Sequence, residues 1–120
     1  MGKTVLVVDD DAMNLRMAAH VLKKSYDVIL ADSGAEGLEK LKENKVDLVL
    51  LDIEMPEMNG IDVFRQILAE HVEVLVVFLT ASGDKKDVME AIKLGAVDYI
   101  KKPFLPKDLV ERVSKVLERV

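Results

Sequence analysis

The sequence predicts an α/β domain with a parallel central sheet and helices packed on both faces. Three observations carry that expectation. Five short runs rich in Val, Ile and Leu recur along the 120 residues. Several of them are apolar without alternation, as strands buried on both sides require. Each is followed by a longer stretch whose apolar residues fall at helical spacing, which gives the order βαβαβαβαβα.

The first strand is expected at Thr4–Val8, where "TVLVV" runs directly into three aspartates. A helix beginning near Ala12 follows, with Leu15, Ala18, Ala19 and Leu22 on one face. The second strand is Val28–Ala31. Ser33 or Asp32 then caps a helix in which Ala35, Leu38 and Leu41 recur. The third strand, Leu48–Leu51, leads through "DIEMPEMNG" to a third helix over Ile61–Ala69 that includes Val63, Ile67 and Leu68. The fourth strand is Val74–Leu79, and the fourth helix runs from about Asp84 to Leu94, with Gly95 as its stop. The fifth strand is short, Tyr99–Ile100. The last helix starts at Pro106, a residue suited to the first helical position, and continues through Leu109, Val113, Val116, Leu117 and Val120. Right-handed crossovers leave few topologies for such a chain.

Length and composition narrow the function. One domain is expected over residues 1–120, large enough to bury roughly two thirds of its unfolded surface. The net charge of -5 argues against direct nucleic-acid binding, which calls for clustered Lys and Arg. With no cysteine, disulfides, thiolate nucleophiles and zinc–thiolate sites are excluded. No apolar run nears the roughly 20 residues of a membrane helix. The apolar start, Val5–Val8, is too short for a signal peptide. Gly2 follows Met1, but Leu6 stands where a myristoylation pattern has Ser or Thr. A cytoplasmic protein is the expectation, with no further domain after the last helix.

In a doubly wound sheet, ligands bind outside the carboxyl ends of the strands. Asp9, Asp10 and Asp11 follow the first strand there, Asp32 the second, Asp52 the third, Thr80 the fourth, and Lys101 and Lys102 the fifth. Singly, each has a plain structural reading. Asp11 can cap the first helix, Asp32 the second, Asp52 can sit in a turn, Thr80 can be a cap, and Lys102 a surface lysine. His20 and His71 are isolated, and the six Met residues suit core or interface. Jointly, the strand-end residues form a set with chemical logic. Carboxylates from two strand ends suit Mg²⁺, which takes hard oxygen ligands and keeps several waters. Such an ion would offset the repulsion within "DDD". Lysine adds a point charge for phosphate, and a threonine hydroxyl can donate to a phosphate oxygen. Phosphoryl transfer rests on positioning and charge neutralisation, and a carboxylate can itself be the nucleophile.

These residues resemble the receiver domain of two-component response regulators, in a single-domain form like the chemotaxis regulators, over essentially the whole chain. "VDDD" matches the family's acidic pair, and "DLVLLDIEMPEMNG" its phosphoacceptor segment with Asp52, Pro56 and Gly60. "FLTAS" matches its fourth strand end with Thr80 and Ala81, and "GAVDYIKKPF" its fifth with Tyr99, Lys102, Pro103 and Phe104. Lys102 rather than Lys101 takes the role because the family proline follows it directly.

The resemblance implies a flavodoxin-like sheet of strand order 2-1-3-4-5 with five helices. It implies that Asp52 accepts phosphate from a histidine kinase or histidine phosphotransfer protein. Mg²⁺ (or Mn²⁺) would be held by Asp9, Asp10, Asp52 and the backbone carbonyl of Glu54. Lys102 and Thr80 would contact the phosphoryl oxygens, and Thr80 and Tyr99 would form the switch. A downstream protein would dock on the face of the fourth helix, fifth strand and fifth helix, with the domain a monomer or a phosphorylation-dependent dimer. Such a domain catalyses only its own phosphorylation and dephosphorylation. Three rivals remain distinguishable: a pseudo-receiver that binds partners without phosphorylation, a Mg²⁺ phosphatase of the haloacid dehalogenase type, and a flavodoxin. The phosphatase motif would follow the first strand. A flavin phosphate would be repelled by three aspartates.

Overall fold

A computed structural model describes residues 2–81 and 85–118. Asp84 and Val120, the expected ends of the fourth and fifth helices, lie outside the described residues, as do Met1 and Ser82. Five strands, β1 (Thr4–Val8), β2 (Asp27–Ala31), β3 (Leu48–Asp52), β4 (Leu75–Thr80) and β5 (Asp98–Lys101), alternate with five helices. The helices are α1 (Ala12–Leu22), α2 (Gly34–Glu43), α3 (Gly60–Ala69), α4 (Lys85–Leu94) and α5 (Pro106–Glu118). The strands are all parallel, in the order β2-β1-β3-β4-β5. This is the flavodoxin-like arrangement implied by the resemblance, and none of the described helices is long and apolar enough to cross a membrane.

Alternate residues of each strand feed two separate cores. Leu6, Val8, Val49, Leu51, Val76 and Phe78 face α2, α3 and α4, where the Phe64 and Phe78 rings meet edge to face at 5.6 Å. Val5, Val7, Leu48, Leu50, Val77 and Leu79 face α1 and α5. Both faces being covered explains why the strands read as unbroken apolar runs.

The helix faces follow the expected periodicity with three differences, one of them on α3, where Leu68 is exposed beside buried Ile67. On α1, Leu15, Ala18 and Leu22 are buried while Ala19 is only half-buried. On α2, Ala35 is exposed, and Gly34, Gly37 and Leu41 face inward. The cause is closeness of approach: a Cβ at Gly37 would lie 2.9 Å from Cγ2 of Val8. Ser33, not Asp32, caps α2, accepting from the Glu36 N–H at 3.1 Å. Gly95 ends α4 as expected, with φ of 106° that disfavours any side chain.

Strand boundaries differ from expectation where function is at stake. Asp52 and Thr80 are the last residues of β3 and β4 rather than the first beyond them. Asp52 pairs with Leu79, and Thr80 with Lys101. Val8 pairs with Leu51, so one further step along the register sets Asp9 beside Asp52.

Candidate functional site

The three consecutive aspartates do three different things. Asp9 prolongs β1, its N–H donating to Ala31 O at 3.1 Å, and its side chain is wholly buried. Asp10 is exposed. Asp11 caps α1, its Oδ1 accepting from the Met13 N–H at 2.9 Å. That cap was legible in the sequence; the burial of Asp9 alone among the three was not.

A positive group sits among them. Lys102 Nζ lies 2.9 Å from Asp9 Oδ2 and 3.4 Å from Asp52 Oδ1. It is therefore no free surface lysine, and it comes from the loop beyond β5, next to a cis peptide bond to Pro103. Its neighbour Lys101 is exposed. Asp52 is only 3% exposed, and its Oδ1 also accepts from the Glu54 N–H at 3.3 Å. Asp9 Oδ1 accepts from the Asp11 N–H at 2.9 Å, and its Oδ2 from Asn14 Nδ2 at 3.3 Å. Asn14 is the residue that sequence reasoning missed, since nothing in its spacing marks a side chain that reaches five positions back.

The electrostatics are those of two buried acids sharing one base. Burial pushes the Asp52 carboxyl up to about 6; Lys102 pulls it down, while the Asp9 charge pushes it up. Burial lowers the Lys102 ammonium, but its hydrogen bond to Asp9 and the charges of Asp52 and Asp9 outweigh that, leaving it above the ordinary lysine value.

The donor set fits a divalent cation. One carboxylate oxygen each from Asp9, Asp10 and Asp52 lies within 4.8 Å of the others. Mg²⁺ holds oxygens at about 2.1 Å, so opposite ligands in an octahedron stand roughly 4.2 Å apart. A small inward adjustment brings three oxygens of that spread onto one ion. The donors are all hard oxygens, as that ion prefers, and exposed Asp10 leaves a side open to water.

Around this centre the other expected residues are distributed unevenly. Thr80, 2% exposed, ends the strand beside β3. Tyr99 on β5 is 42% exposed and points away from the core. Glu54 is exposed, two residues beyond Asp52. Gly60 backs the site: its N–H donates to Ile53 O at 2.9 Å. A Cβ there would strike the backbone oxygen of Asp52 and lie 2.9 Å from Ile53 Cα. Asn59 and Asp62 close a reciprocal cap at the start of α3, fixing where the loop after Asp52 ends.

Comparison with known proteins agrees with this geometry. The family model of the response regulator receiver domain matches residues 5–114. The chain is 45% identical over 118 residues to the chemotaxis protein CheY of Thermotoga maritima, covering 97% of this chain and 98% of that protein. It is also 45% identical over 120 residues to the DNA-binding response regulator MtrA of Mycobacterium tuberculosis, spanning 99% of this chain and 52% of that longer protein. Among solved structures, a CheY-like receiver domain from Methanospirillum hungatei superposes with a TM-score of 0.93 at 28% identity, over 99% of this chain and 96% of that one. From the paired acids of β1 to the lysine after β5, the chain belongs to the response regulator receiver domain family.

Proposed function

We propose that this domain accepts a phosphoryl group on Asp52 from the phosphohistidine of a histidine kinase or histidine phosphotransfer protein, and that the modified state is read by a downstream protein. One observation carries this reading: a single ammonium, that of Lys102, is shared between two buried carboxylates at the carboxyl edge of the sheet. An Asp52 oxygen attacks phosphorus, the P–N bond of the donor breaks, and the imidazole leaves with the electron pair and takes up a proton. With a pKa near 6, Asp52 is mostly ionised and able to attack at pH 7. Lys102 pairs with a phosphoryl oxygen as a point charge, and the Thr80 hydroxyl donates to another. Asp9, Asp10, Asp52 and the Glu54 backbone carbonyl would hold Mg²⁺ (or Mn²⁺), which when bound would supply the charge that offsets the carboxylates and the phosphoryl oxygens.

The output is a two-state change. Thr80 moves toward the phosphoryl group, and Tyr99, now outward, turns into the space it leaves. The downstream protein docks on the face of α4, β5 and α5, where Met89, Ile92 and Tyr99 are exposed. The domain itself binds no nucleic acid, and it works in the cytoplasm as a monomer or a phosphorylation-dependent dimer. A small phosphodonor, acetyl phosphate or phosphoramidate, tests the reading by intact mass. A labile phosphoryl adduct that needs Mg²⁺ and is lost in Asp52→Ala supports it. No adduct in the wild type overturns it in favour of a pseudo-receiver.

A further inference from the structure

Asn14, the third residue of α1, has no part in the chemistry so far. Yet its Nδ2 donates to Asp9 Oδ2 at 3.3 Å. This bond is not a helix cap, because Asp11 already caps α1. The described residues give the wholly buried Asp9 three donors: the Asp11 N–H on Oδ1, and Lys102 Nζ and Asn14 Nδ2 on Oδ2. A carboxylate offers about four lone-pair sites. Oδ2 is therefore filled, and one lone pair of Oδ1 stays available.

This arrangement has two consequences, both resting on the phosphoryl-acceptor reading above. First, the carboxylate of Asp9 is oriented. Asn14 sits on a helix anchored through buried Leu15 and Ala18, so its amide is a fixed donor. With Oδ2 committed to protein donors, the oxygen left for a cation is Oδ1. Second, Lys102 is shared, and any shift of its ammonium toward a phosphoryl oxygen on Asp52 weakens its hold on Asp9. A buried anionic oxygen stripped of every donor is costly, and Asn14 is the donor that stays behind.

We infer that Asn14 is a positioning residue for phosphoryl acceptance: its amide holds Oδ2 of Asp9, leaving Oδ1 to the cation and freeing Lys102 for the phosphoryl group. Residues that orient a metal ligand typically cost about tenfold or more in affinity when removed.

The test uses Asn14→Leu, which keeps the branched shape and loses the donor, and Asn14→Gln, which keeps the amide. Two quantities are read: Mg²⁺ affinity of the unphosphorylated protein by titration calorimetry, and the rate of phosphoramidate uptake at saturating Mg²⁺. Asn14→Leu is expected to bind Mg²⁺ about tenfold more weakly and to remain slower at saturating Mg²⁺, because the transfer of Lys102 is impeded as well. Asn14→Gln is expected to recover much of both. Asn14→Leu matching the wild type in both readouts overturns the inference, as does Asn14→Gln as weak as Asn14→Leu. Failure of the wild type to bind Mg²⁺ or take up phosphoryl is a different result, and overturns the phosphoryl-acceptor reading itself.

Discussion

Lys102 and Asp9 stand 93 positions apart in sequence and 2.9 Å apart in space. Their ion pair ties the loop after β5 to the end of β1, across β3 and β4. Lys102→Met removes the charge with little change of volume and leaves Asp9 and Asp52 facing each other without a base. Breaking a buried pair on one side is expected to cost about 3 kcal/mol, the low end for such sites because Lys102 retains some exposure. Urea denaturation at pH 7.5 measures it. A loss below about 0.5 kcal/mol, the scale of an exposed pair, would mean that solvent screens the site.

Asp52 makes the cation-free protein less stable as pH rises. Its carboxyl is pushed up to about 6 when folded, from the ordinary 3.8 that it keeps when unfolded. Between those values the folded state holds more protons, so stability falls as pH rises through the window and is lowest above it. Asp52→Asn removes that slope. The variant is expected to melt above the wild type at pH 7.5 without divalent ions, and the gap is expected to close by pH 4. Parallel melting curves across this range would contradict the assignment.

Mg²⁺ is expected to raise the melting temperature, since a ligand of the native state stabilises by mass action. At tenfold over the dissociation constant the gain is about 1.4 kcal/mol, or several degrees for a domain of this size. Asp10→Asn is expected to abolish most of it, because Asp10 is the exposed member of the oxygen cluster and its change leaves the buried pair intact. Equal shifts in both proteins would exclude Asp10 as a ligand.

Gly60→Ala forces a methyl group against the backbone of Asp52 and Ile53. Overpacking of this kind costs about 1–3 kcal/mol. Because the displaced backbone carries Asp52, phosphoryl uptake is expected to fall by more than the stability loss explains. Folded, fully active Gly60→Ala protein would show that the loop after β3 yields freely.

Much of this was legible in the sequence, for identifiable reasons. Val5–Val8 and Leu48–Leu51 are buried on both faces, so burial wrote itself directly into the residue types. The strand-end rule then pointed to Asp9, Asp52, Thr80 and Lys102, because in a parallel sheet all those ends lie on one edge. The choice of Lys102 over Lys101 followed from Pro103; of the two lysines, Lys102 is the one that pairs with Asp9 and Asp52. Other features depend on three-dimensional approach that no local pattern encodes. The inward glycines of α2 reflect closeness to Val8, which helical periodicity does not report. The division of labour within "DDD" depends on the register of β1 against β2 and β3. The bond from Asn14 to Asp9 depends on how α1 leaves the sheet.

The sharing of Lys102 also bears on how the protein is made. Synthesis delivers Asp9 first, then Asp52, and Lys102 last of the three, after β5. Until then a partly folded nascent chain that buried both acids would do so without a counter-charge. The acidic centre thus penalises premature closure of β1 against β3 and rewards it once β5 docks. The charge balance at the carboxyl edge is thus complete only when β5 is in place beside β4.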